Sequence, residues 1–141
     1  MHQTLTGRDP HTGESLTVRC ADGRITAIEK GAPGENVWLS AGLIDLQVNG
    51  YHGDDLNADD LTVDTVQSLA RRMLANGVTT FLPTLITACE GKIVQNLSVI
   101  AAARQADPLL AHMIPCVHLE GPHIATEDGP SASKTDPPPD T

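Results

Sequence analysis

Between Gly42 and Leu119 the sequence switches repeatedly between short apolar, β-branched runs and longer segments of helical period, and this alternation restricts the fold more than any other feature. Leu43 to Val48 is an apolar run closed by Asn49-Gly50. Thr62 to Ala75 then places Val63, Val66, Leu69, Ala70, Met73 and Leu74 at helical spacing, with Gly77 as the stop. The unit recurs: Val78 to Thr84 is apolar and β-branched, and Lys92 to Gln105 carries Ile93, Val94, Leu97, Ile100 and Ala101 on one helical face. Met113 to Leu119 is expected as a third strand. Strand, helix, strand, helix, strand at about 35 residues per repeat is the sequence form of parallel βαβ units with right-handed crossovers. An open doubly wound sheet and a partial barrel both fit it.

The flanks differ from this middle. Leu16-Thr17-Val18 and Ile25-Thr26-Ala27-Ile28 are separated by Ala21-Asp22-Gly23-Arg24, a hairpin signal, and Asn36 to Leu39 reads as a third extended piece. Such a β unit is too thin to be stable alone. Ser131 to Thr141, with Pro137-Pro138-Pro139, has no apolar periodicity and is expected to be disordered.

Composition removes several function classes. The chain has 9 Lys plus Arg against 18 Asp plus Glu, and a single Trp, Tyr and Phe, so the basic groove and stacking surface of a nucleic-acid binder are both missing. Cys20, Cys89 and Cys116 have no paired spacing and read as reduced, buried thiols. Arg8, Asp9 and Pro10 stand where a signal peptide would need an apolar run, and no stretch is long and apolar enough to span a bilayer, so the cytoplasm is the default expectation.

The chemistry-bearing residues sit at strand ends. Alternation in the first strand puts Asp45, Gln47 and Asn49 on one face, opposite Ile44, Leu46 and Val48. In the third strand it puts Cys116, His118 and Glu120 together, opposite Val117 and Leu119. Parallel α/β folds build their sites at this C-terminal end. Polar side chains on buried strands are costly unless they bond each other or a ligand, and a metal site supplies one joint explanation. The plainer account is that Asn49-Gly50 is a turn, Asp45 caps loop amides and Glu120 pairs with an Arg. The residues alone do not choose between the two accounts.

Three segments carry a resemblance. Leu39-Ser40-Ala41-Gly42-Leu43-Ile44-Asp45 is similar to the entry into barrel strand 1 of amidohydrolase-superfamily chains. The His-x-His that follows in most members is replaced here by Gln47-Val48-Asn49-Gly50, as in a subset of N-acetylglucosamine-6-phosphate deacetylases. Gly77 to Thr87 resembles the second strand of that family, and His118-Leu119-Glu120-Gly121-Pro122 its third. The likeness covers roughly residues 15 to 130.

The resemblance implies an α/β fold: part of a small β-sandwich over residues 1–40, the first three strands of a (β/α)8 barrel over 41–130, and a non-family tail over 131–141. A whole barrel needs about 250 residues, more than the 141 present. It further implies one divalent metal, zinc, with Glu120 as a ligand. Gln47 and Asn49 stand where two imidazoles would hold a second metal, and His118 orients the pocket without binding metal itself. The remaining ligands, two His, and the proton-handling Asp belong to later strands of the family, so no catalytic residue falls in this chain. The implied substrate is an amino-sugar phosphate, the implied products are glucosamine 6-phosphate and acetate, and a homodimer is the implied assembly. His52 and His123 are read as solvated rim residues, and His2, His11 and His112 as ordinary ones. After Pro130 the likeness stops, which is the pattern of a truncated or frameshifted frame. The rivals are another amidohydrolase, which the absent His-x-His disfavours, and a non-catalytic fragment, which the missing ligands favour.

Overall fold

The computed structural model describes residues 1–32 and 36–121 and divides the chain into two compact units, Met1–Ala41 and Gly42–Thr141. The expectations for His123 and for the tail 131–141 lie outside the described residues.

The first unit is an antiparallel meander of β1 (His2–Arg8), β2 (Ser15–Ala21) and β3 (Arg24–Lys30). The β2–β3 turn follows from Asp22 and Gly23, both at positive φ (50° and 74°), the conformation that a tight two-residue hairpin needs. β1 was not expected, because Gln3, Thr4 and Thr6 dilute its apolar signal. Its strand character comes from full pairing with β2, from His2 opposite Ala21 to Arg8 opposite Ser15. The third extended piece shrinks to one parallel bridge between Arg8 and Trp38. Leu5, Ile25 and Ile28 of this sheet stay exposed, as a single layer with no second layer of its own requires.

The second unit is mixed α/β. Its sheet has the order β4 (Leu43–Val48), β7 (Val78–Leu85), β8 (His118–Leu119), with both pairings parallel. A small antiparallel hairpin, β5 (Gly50–Tyr51) and β6 (Asp54–Asp55), follows β4 directly. Its turn is His52-Gly53, with φ of 52° and 90°, so Asn49-Gly50 is not the turn that the sequence suggested. The helices are α1 (Val63–Ala75), α2 (Glu90–Ala106) and a short α3 (Pro108–Met113).

α1 forms where its stripe and caps predict. The Thr62 hydroxyl accepts from Thr65 N–H at 3.2 Å, and Gly77 takes the left-handed conformation (φ 83°) after the C-cap. Val66, Leu69, Ala70 and Met73 are buried, while Leu74, expected on the same face, is 39% exposed.

α2 departs further from its expected stripe. Its buried residues are Ile93, Asn96, Ile100 and Ala103, one side chain per turn, so a polar Asn takes a core position and Val94 turns outward. The expected third strand, Met113 to Leu119, shortens to β8 (His118–Leu119), and the unexpected α3 ends at its first residue, Met113. Asp107 accepts from Leu109 N–H at 2.9 Å and Pro108 occupies the first turn, a helix start in a stretch where no element was expected.

The core gathers on β7. Phe81, Leu85 and Val78 pack with α1, with Ile100 and Ala103 of α2, and with Leu110 and Met113 of α3. β4 lies at the sheet edge, where Val48 is buried but Ile44 and Leu46 are each 66% exposed. Its ladder with β7 slips twice, between Leu43 and Ile44 and between Asp45 and Val48, the second slip lying next to the Val48–Pro83 pair. Proline brings no N–H to a ladder, which accounts for an irregularity at this point. Just before β4, a Cβ on Gly42 would collide with the Thr79 side chain, so only glycine fits there. Among the described residues, no helix is long and apolar enough to cross a membrane.

Candidate functional site

The C-terminal ends of β4, β7 and β8 bring together residues far apart in sequence. The Gln47 side-chain amide donates to Glu120 Oε1 at 2.7 Å, joining the two outer strands across the end of β7. The Asn49 amide donates to the Thr84 carbonyl at 3.4 Å, and the Thr84 hydroxyl lies 3.5 Å from His118 Nδ1. Glu120 N–H donates to the Leu85 carbonyl at 3.0 Å, extending the β7–β8 pairing by one bond past β8. Gln47, Asn49, His118 and Glu120 therefore form one continuous rim.

Asp45 does not join this rim. Its carboxylate accepts from Gln47 N–H at 3.1 Å, the local capping role of the plainer account. Glu120 meets an amide donor in place of the Arg which that account supposed. His52, at the hairpin turn, stacks edge-on against Tyr51 with ring centroids 4.5 Å apart. Cys116 and Cys89 are exposed rather than buried.

Asn57 belongs to the rim and was not expected there. Its Nδ2 donates to the Thr84 carbonyl at 3.0 Å and its Oδ1 accepts from Ile86 N–H at 2.9 Å. The sequence offered one faint sign: Asp55, two residues earlier, accepts from Asn57 N–H at 2.8 Å, an Asx turn that fixes the loop. A cavity of about 360 Å³ is lined by Asp45, Gln47 and Asn49 together with Met73, Asn76 and Val78.

Among the described residues no three His, Cys, Asp or Glu side chains are grouped to hold a metal ion. The rim thus presents one carboxylate held by a neutral amide, which is one donor of the three that a catalytic zinc site normally draws from protein. A lowered carboxyl pKa occurs at Asp59, away from the rim. A hydrogen bond from Lys92 at 2.5 Å, with the attraction of its charge, holds Asp59 below the ordinary carboxylate value.

Polar side chains gathered at the C-terminal ends of adjacent parallel strands, above a core of covering helices, are the arrangement of an α/β enzyme. Comparison with known proteins narrows the class, although no protein-family model matches the chain. N-acetylglucosamine-6-phosphate deacetylase of Bos taurus is 37% identical over 93 residues, covering 63% of this chain and 22% of the relative. The enzyme of the same name from Haemophilus influenzae is 36% identical over 89 residues, with the same coverages.

Among solved structures, the deacetylase of Thermotoga maritima superposes with a TM-score of 0.70 at 25% identity, over 90% of this chain and 34% of that one. A mutant of the Mycobacterium smegmatis enzyme, in complex with N-acetyl-D-glucosamine 6-phosphate, does so with a TM-score of 0.62 at 27% identity, over 89% of this chain and 33% of that one. The chain is thus similar, over part of their length, to the N-acetylglucosamine-6-phosphate deacetylases, an enzyme family. It spans about a fifth of the curated relatives and a third of the solved chains.

Proposed function

We propose that this chain is the opening portion of a metal-dependent hydrolase that removes the acetyl group from N-acetylglucosamine 6-phosphate, leaving glucosamine 6-phosphate and acetate. On this reading the second unit supplies the first three strands of a (β/α)8 barrel, and β1 to β3 are part of a β-sandwich. The observation that carries the proposal is the 2.7 Å bond from Gln47 to Glu120, because it unites at one rim the first and third of the three segments on which the resemblance rests.

Glu120 is the residue of this chain proposed to hold the metal, zinc or a similar dication. Its carboxylate carries the charge that such an ion needs, whereas Gln47 and Asn49 are neutral amides and poor zinc ligands. When bound, the metal would polarise the amide carbonyl and acidify a water. Gln47 orients the carboxylate through the hydrogen bond from its side-chain amide to Oε1, and His118 and Asn49 hold Thr84 at the end of β7. The His ligands and the proton-handling Asp, on this reading, lie in sequence beyond this chain.

Two outcomes are expected. The 141-residue chain should hydrolyse N-acetylglucosamine 6-phosphate no faster than buffer containing zinc, since it carries one ligand of about three. A version continued to the relatives' full length should be active with about one divalent ion per chain. Turnover by the short chain that is lost on Glu120→Gln would overturn the proposal. So would two tightly held ions per site in the long one.

A further inference from the structure

Glu120 reaches the rim through the end of β7, so whatever holds that end also places the carboxylate. The Glu120 N–H is anchored on the Leu85 carbonyl at 3.0 Å. Both neighbours of Leu85 are held by one side chain, since Asn57 donates to the Thr84 carbonyl at 3.0 Å and accepts from Ile86 N–H at 2.9 Å. One donor and one acceptor two residues apart are what an adjacent strand's backbone offers. The Asn57 amide serves as a one-residue strand where β7 leaves the sheet.

Asn57 is itself fixed on both sides. Its N–H bonds Asp55 Oδ1 at 2.8 Å, and the preceding Leu56 is fully buried. Leu56 donates its N–H to the Asn49 carbonyl at 2.9 Å and receives the Asn96 amide on its own carbonyl at 3.0 Å. The loop after β6 is thereby tied to β4 and to α2 at once, and presents Asn57 to β7 with little freedom.

We infer that Asn57 is a positioning residue of the rim, fixing where the Glu120 carboxylate stands by clamping the two residues that flank Leu85. Its functional weight rests on the reading of Glu120 as a metal ligand, but its geometry does not. A side chain that joins both flanking residues resists a shift of the end of β7 relative to the loop after β6, and such a shift would carry Glu120, anchored on Leu85, away from Gln47. The Asn49 bond to the same Thr84 carbonyl, at 3.4 Å, is longer and holds one side alone.

The test uses the 141-residue chain and its Asn57→Ala and Asn57→Asp variants, with amide hydrogen exchange and NOE contacts between the Gln47 side-chain amide and Glu120. Asn57→Ala should speed exchange at Ile86 and Glu120 by about 10-fold and abolish the Gln47–Glu120 NOE, while Val66 and Leu69 in α1 keep their rates. Asn57→Asp retains the acceptor but not the donor, so Ile86 should stay protected while the NOE weakens. This variant keeps the test decisive if the alanine variant does not fold. Unchanged rates at Ile86 and Glu120, or a uniform rise across the chain, would overturn the inference. Failure of the metal reading would instead appear as metal retained by Glu120→Ala in the full-length protein, with the exchange pattern intact.

Discussion

Asn96 offers a stringent stability test because it sits in the core for a single purpose. The side chain is 2% exposed, its amide donates to the Leu56 carbonyl at 3.0 Å, and its own carbonyl oxygen has no partner among the described residues. In Asn96→Ala the bond is lost and the Leu56 carbonyl is left buried without that donor, at about 1–3 kcal/mol for the orphaned group. Removing the unpartnered Asn96 oxygen returns part of this, so we expect a net loss of about 1–2 kcal/mol. For a unit of this size that lowers Tm by on the order of 10 °C. Asn96→Asp, which puts a carboxylate against the Leu56 carbonyl, should cost more than the alanine. Urea and thermal denaturation followed by circular dichroism measure both. An alanine variant within about 0.5 kcal/mol of the parent, the range of an unremarkable surface change, would refute the reasoning.

Two further outcomes concern one ion pair away from the rim and two amides on it. Because Lys92 holds the Asp59 carboxyl below its ordinary 3.8, the pair adds stability above that pH and loses it as the pH falls through the lowered folded value. An NMR titration should show the Asp59 midpoint rise toward 3.8 in Lys92→Met, and an unmoved midpoint would count against the ion pair. In a full-length protein, Gln47→Ala and Asn49→Ala should each lower kcat on the order of 10- to 100-fold with the fold retained, as expected for groups that orient a metal ligand or the strand beneath it. A rate within twofold of the parent would show that these amides leave the chemistry untouched.

The features legible in the sequence are those set by local chemistry. Asp22-Gly23 specifies its turn by conformation, and Thr62 with Gly77 bounds α1 through caps that need no distant partner. The misses are residues whose role is decided by contacts far along the chain. β1 is a strand because β2 pairs with it, and Asn96 is buried because the Leu56 carbonyl, 40 residues away, requires a donor. Asn57 reads as a loop polar residue until Thr84 and Ile86 are brought beside it. α3 was missed for a local reason, since its six residues are too few to show a helical period and only the Asp107-Pro108 start marks it. At the rim, alternation grouped Gln47 with Asn49 and His118 with Glu120, and the fold brings both pairs to the end of β7. Asp45 dropped out because it caps its own strand, a short-range bond that alternation does not foresee.

The central claim is that Glu120 is a metal ligand, and one measurement reaches it directly. Glu120→Ala, made in the chain continued to its relatives' full length, is compared with the parent for bound divalent metal by elemental analysis and for turnover of N-acetylglucosamine 6-phosphate, with circular dichroism as the check on folding. In the parent, Glu120 is a carboxylate at a strand end, held at 2.7 Å by Gln47. Its loss should remove metal and rate together while the fold persists. A folded Glu120→Ala protein that kept its metal and near-normal turnover would contradict the account, and would make Glu120 a structural partner of Gln47.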